Sequence, residues 1–185
     1  MTQSFALPQA HAKATERLEG DCVAAFSSEF DYVHRILRRL GVPQADVEDL
    51  AHDVFLVLHR AWHNYDRSRP MRPYLFGIAV RVAASNRRRN WRETSFAAVD
   101  ARDGGPRPED ALRAKRARDL VLAGLAHVPL PRRAVLAMHV IDEIPMRDIA
   151  RDLSIPLFTA YSRLRKARRE FEKAVVRLQK VMPGP

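Results

Sequence analysis

Apolar residues recur at three- and four-residue intervals along most of this chain, and no run has the strict alternation that a half-buried strand needs. The expected fold is all-α. Helices are predicted at about 21–40, 45–62, 73–91, 109–127, 131–142, 146–153 and 157–178. Between the third and fourth, SFAAVDARDGGPRPED brings Gly104-Gly105 together with two prolines, the composition of a linker. The chain therefore divides into an N-terminal leader (1–20), a helical domain (21–93), a flexible linker (94–108) and a second helical domain (109–180).

The segment Pro145 to Glu170, PMRDIARDLSIPLFTAYSRLRKARRE, has the pattern of a helix-turn-helix. At about 100° per residue, Leu157, Ala160, Leu164, Ala167 and Phe171 form a core-facing stripe, and Phe158, Ser162, Arg165, Lys166 and Arg169 point away from it. A shorter helix before it buries Ile149, Ala150 and Leu153, and the break at Ser154-Ile155-Pro156 sets Pro156 near the first helical position. Two readings stand: a DNA-reading motif whose second helix enters the major groove, or a basic, solvated helical hairpin.

Charge favours the first. There are 32 Lys and Arg against 22 Asp and Glu, a net charge of +10, and the C-terminal half carries more of the excess. Such a balance draws a protein to phosphate backbones. No apolar run approaches the roughly 20 residues that span a bilayer, and the first residues lack the pattern of a signal peptide. The expectation is a soluble, cytoplasmic protein without membrane insertion. The single cysteine, Cys22, excludes an internal disulfide and any Cys-pair zinc site, and is expected to be a buried small hydrophobe.

In DVEDLAHDVFLVLHRAW, Val47, Leu50, Ala51, Val54, Phe55, Leu58 and Trp62 make a core face, and beside it Asp46, Asp49 and Asp53 line up with Glu48 and His52 adjacent. Asp46 can cap the helix, and early acids suit its positive end. Asp53 lies too far in for that. The stripe is either an ordinary solvated face or a docking surface for a basic protein. Farther on, Arg67, Arg69, Arg72, Arg81, Arg87, Arg88, Arg89 and Arg92 interleave with Tyr65, Tyr74, Phe76 and Trp91. Arginines hold phosphate and exposed rings stack unpaired bases, although Tyr74, Phe76, Ile78 and Val82 are expected mostly in the core.

The order of these segments resembles the extracytoplasmic-function (ECF) group of bacterial RNA polymerase sigma factors, over about residues 22–178. DVEDLAHDVFLVLHRAW is similar to the polymerase-binding helix of region 2, and PYLFGIAVRVAASNRRR to the promoter-melting helix that follows. LPRRAVLAMHVIDEIPMRDIARDLSIPLFTAYSRLRKAR looks like region 4. The resemblance implies that Asp46, Asp49, His52 and Asp53 meet the clamp of the large polymerase subunit. It implies that the loop with Asn64, Tyr65, Arg67, Arg69 and Arg72 captures an extruded promoter base, with Arg87, Arg88 and Arg89 near the backbone. In region 4 it assigns DNA contacts to Phe158, Thr159, Tyr161, Ser162, Arg165, Lys166 and Arg169.

The chain departs from the family's usual pattern at several of these positions. His52 replaces a common Gln, an exchange that either weakens that contact or makes it pH-sensitive. Tyr74 replaces a common Trp, Ser154 and Phe158 stand where Gly is usual, and Tyr161 stands where a basic residue is common.

The implied function uses binding energy without covalent chemistry, so no enzyme activity, cofactor or metal is expected. The chain would bind core RNA polymerase, direct it to specific promoters and help open DNA for initiation. The linker permits this, since about 16 residues at ~3.3 Å reach roughly 50 Å, more than one helical turn of about 34 to 36 Å between DNA elements. An anti-sigma protein is the further expected partner, and no homo-oligomer is required. The alternative is an autonomous helix-turn-helix regulator, which leaves the acidic stripe without work. A nuclease using His59, His63 and Asp66 is the weaker rival, since no further ligand set accompanies them.

Overall fold

A computed structural model describes residues 9–93 and 109–181. In chain order the helices are α1 (Gln9–Arg39), α2 (Val47–Ala61), α3 (Met71–Glu93), α4 (Glu109–Ala126), α5 (Leu130–Leu136), α6 (Met146–Asp152) and α7 (Leu157–Val181). Short 3-10 turns precede and follow α2, and one π-helical turn, Ala137–Ile141, continues α5. No strand occurs among the described residues.

The N-terminal unit is α1 to α3, mutually packed, and the C-terminal unit packs α4, α5 and α6 around α7. Helix α1 begins at Gln9, so it runs through much of the stretch read as a leader. Its end follows from one residue. Gly41 adopts φ +85°, letting its N–H reach Arg38 O (3.0 Å) and the N–H of Val42 reach Leu37 O (3.1 Å), while Val42 is buried beyond it. The same motif ends α6, where Ser154 takes φ +52° and Ile155 N–H bonds Ala150 O at 2.8 Å. Asp46 stands at the N-cap of α2, but its side chain makes no capping bond.

The apolar stripes are buried largely as their spacing predicts. Val47, Leu50, Ala51, Val54, Leu58 and Trp62 are buried and Phe55 half-buried, as are Ala160, Leu164 and Ala167 with Phe171 partly covered. Leu157 is the exception, exposed at the first turn of α7 where no neighbouring element covers it. Cys22 is fully buried, and burial raises its thiol pKa.

The two units also touch. Their buried side chains form one contiguous apolar cluster from Cys22 to Ala167. Three polar contacts surround it. Arg133 of α5 is buried and donates to Val128 O (3.0 Å), Ala126 O (2.7 Å) and, across the units, Leu40 O (2.6 Å). Burial pushes its guanidinium pKa down to about 10, still far above neutral pH, so the group stays charged. Asp142 accepts from Arg39 at 2.5 Å and from the Tyr32 hydroxyl at 3.1 Å, and burial together with that carboxylate raises the phenol's pKa. Asp152, at the end of α6, pairs with Arg69, and Arg81 donates to its carbonyl oxygen at 3.2 Å.

Candidate nucleic-acid interface

Helix α2 turns its apolar face to α1 and α3, which leaves Asp49, His52 and Asp53 exposed and Asp46 half-buried. These four line a groove with Asn86 and Arg89 of α3 on its far wall. Among the described residues none of the three stripe aspartates forms an ion pair. Carboxylates stacked at helical spacing repel one another, so the surface suits a cationic partner.

The loop between α2 and α3 is built around a stack of rings. Tyr65 lies between Trp62 (5.7 Å) and Tyr74 (4.9 Å), and its hydroxyl donates to Arg69 O at 2.6 Å. Tyr65 is therefore buried, with its ring stacked against those of Trp62 and Tyr74. The loop is further shaped by Asp66, which accepts the Ser68 hydroxyl (2.6 Å) and N–H (3.0 Å), two bonds that hold its carboxyl below the usual range.

Around this scaffold the cations stand outward. Arg67 lies over the Trp62 ring at 5.3 Å and pairs with Asp21 at 3.4 Å; Arg72 lies over Tyr32 at 5.2 Å and pairs with Glu29 at 3.0 Å. Asn64, Arg67 and Arg72 are exposed, as are Arg87, Arg88 and Arg89 along α3, where Arg89 donates to Asn86 at 3.1 Å. Arg69 differs from the rest. Its guanidinium is engaged by Asp152 of the other unit.

In the C-terminal unit, α6, the left-handed turn at Ser154 and α7 form the helix-turn-helix. Phe158 is 83% exposed and Tyr161 55%, and Arg165, Lys166 and Arg169 are exposed beside them. Thr159 and Ser162 are half-buried, so Ser162 points less freely outward than its position on the helix suggests. The outward face of α7 is thus basic with an apolar tip. Sequence spacing missed Arg133, Asp142 and Asp152, whose partners lie far away along the chain. Among the described residues no group of three or more His, Cys, Asp or Glu side chains is arranged to hold a metal ion.

The described residues thus combine a basic helix-turn-helix in one helical unit with an exposed acidic face in the other. The Sigma-70 region 2 family matches residues 26–93, and the Sigma-70, region 4 family matches residues 118–171. Among relatives, the ECF RNA polymerase sigma-E factor of Escherichia coli (strain K12) is 24% identical over 157 residues, 78% of this chain and 82% of that protein. RNA polymerase sigma factor NccH of Alcaligenes xylosoxydans xylosoxydans is 29% identical over 107 residues, 55% of this chain; that match spans only 58% of NccH. Two solved structures share the fold. The sigma factor RpoE in complex with the anti-sigma factor NepR from Bartonella quintana gives a TM-score of 0.68 at 16% identity, covering 84% of this chain and 96% of that one. CnrH in complex with the cytosolic domain of CnrY gives 0.57 at 23% identity, covering 88% and 92%. The chain belongs to the sigma-70 family of RNA polymerase sigma factors, and within it to the ECF group.

Proposed function

We propose that this chain binds core RNA polymerase, directs it to specific promoters and helps open the DNA, acting through binding energy alone. The observation that carries this reading is the pairing of an acidic face on α2, whose aspartates form no ion pair among the described residues, with a basic helix-turn-helix face on α7. Asp46, Asp49, His52 and Asp53 are assigned to the polymerase clamp. Asn64, Arg67, Arg69 and Arg72, with Arg87, Arg88 and Arg89, are assigned to the opened promoter element. Phe158, Thr159, Tyr161, Ser162, Arg165, Lys166 and Arg169 are assigned to the upstream duplex. Tyr65 keeps a supporting role in shaping the loop.

The chemistry fits. Arginine forks match phosphate oxygens and guanine edges, and holding a flipped base offsets an unstacking cost of a few kcal/mol. No helix among the described residues is long and apolar enough to cross a membrane, and the proposed place of work is the cytoplasm, with polymerase. Two structural neighbours were solved with partner proteins, one of them named an anti-sigma factor. A partner of that kind is proposed here as well.

The test is a titration of labelled full-length chain with core RNA polymerase. The wild type is expected to bind, and Asp49→Ala/Asp53→Ala to bind at least about tenfold more weakly, the loss of ~1.4 kcal/mol that removing close charge pairs readily causes. Equal binding by both would remove the clamp assignment.

A further inference from the structure

Arg67, in the loop after α2, and Arg72, in the first turn of α3, are both anchored by carboxylates of α1. The two anchors are unequal. Arg67 meets Asp21 through one Nη at 3.4 Å, with both side chains 51% exposed, the kind of surface pair that contributes little. Arg72 is held more firmly. Its Nε donates to both Glu29 oxygens, at 3.2 and 3.0 Å, the Glu29 side chain is only 19% exposed, and the guanidinium lies over the Tyr32 ring at 5.2 Å.

Nothing in α3 itself favours a cation at this point, because the first turn of a helix is its positive end and prefers acids. Glu29 offsets that cost. It also does more, since the carboxylate fixes the Nε edge of Arg72 and the ring fixes its plane, while the opposite edge stays open. Among the described residues neither Nη atom of Arg72 has a hydrogen-bond partner, and the side chain is 61% exposed. A planar fork held this way matches two oxygens of a phosphate. We propose that Glu29 is a positioning residue for promoter opening, a role that rests on the assignment of Arg72 to the opened promoter element: from α1 it aims the free edge of Arg72 at a phosphate of the unpaired strand. Ordering a rotamer-rich side chain on binding costs affinity, and a side chain already held avoids that cost. A carboxylate that merely neutralised Arg72 would act with the opposite sign. It would compete with phosphate, and its removal would tighten DNA binding.

The experiment assembles holoenzyme from core RNA polymerase and the full-length chain, wild type or variant. It measures affinity for a fluorescein-labelled promoter DNA, taken from sequences selected with the wild type and left single-stranded over the melted element. Glu29→Ala removes both acceptor oxygens and suits a helix, while Glu29→Gln keeps one acceptor. Glu29→Ala is expected to bind this DNA about threefold to tenfold more weakly, the range set by ordering one long side chain, with unchanged affinity for core. Glu29→Gln is expected to lose less. Arg72→Ala is expected to lose at least as much as Glu29→Ala, and the double variant no more than Arg72→Ala alone, a coupling that a general loss of stability would not produce. Wild-type or tighter DNA binding by Glu29→Ala overturns the positioning role, as does a Glu29→Ala loss that persists in the Arg72→Ala background. In both cases an Arg72→Ala holoenzyme that binds DNA more weakly leaves the assignment of Arg72 standing. DNA affinity unmoved by Arg72→Ala overturns that assignment, and the role of Glu29 with it.

Discussion

Ser154 carries a side chain where the backbone turns left-handed, at φ +52°, closing α6 with the bonding that Gly41 uses at the end of α1. A Cβ in that region costs about 1–2 kcal/mol, partly offset by the smaller unfolded-state entropy of serine. Ser154→Gly is therefore expected to stabilise the protein by about 0.5–1 kcal/mol, read as a rise of roughly 1–4 °C in the thermal midpoint. Gly41→Ala has the opposite sign, because a Cβ there would lie 2.0 Å from Arg133 Nη1 in addition to the strain at φ +85°. A loss of about 2 kcal/mol or more is expected on thermal melting. Phe158 poses a residue-scale question of specificity, since a phenyl ring 83% exposed at the tip of a basic helix face costs solubility unless something apolar meets it. Thymine methyl groups are the apolar feature of the major groove. From upstream sequences selected with the polymerase-bound chain, replacing the contacted thymidine by deoxyuridine is expected to weaken the wild type and leave Phe158→Ala indifferent; equal responses would remove the ring from base reading.

Among the elements, α5 depends most on a single polar side chain. Arg133 holds the carbonyls of Ala126 and Val128 at the end of α4 and that of Leu40 at the end of α1. Arg133→Met keeps the apolar stem and strands those acceptors, with an expected loss of about 3 kcal/mol in denaturant unfolding. The helices themselves were legible in the sequence because their apolar residues repeat with the helical period, as at Val47, Leu50, Val54 and Leu58. The acidic stripe was legible for the same reason, since Asp49 and Asp53 share a face set by that period. Tyr65 was not. An aromatic residue beside arginines has the same pattern whether its ring meets a base or is stacked between Trp62 and Tyr74. The π-helical turn after α5 also escaped, because its wider spacing begins within an otherwise continuous apolar pattern at Ala137–Ile141.

For the whole molecule, the closed packing of the units was invisible to pattern reading. Asp142 and Asp152 look like ordinary solvated acids in sequence, and nothing local announces that Arg39 and Arg69 will meet them. One contiguous apolar cluster joins the units. What the sequence did carry was the order of three segments whose separate chemistries make sense only together: an acidic docking helix, an arginine-rich loop and helix, and a basic helix-turn-helix. The most direct test of that combination is run-off transcription with core polymerase on an upstream-selected promoter. Wild type is expected to give a discrete transcript that core alone does not. Asp49→Ala/Asp53→Ala is expected to lose both core binding and transcript, and Arg165→Ala/Lys166→Ala to keep core binding but lose promoter selectivity. Wild-type transcription by both pairs, or tight binding of a palindrome by the chain without polymerase, would contradict the assignment.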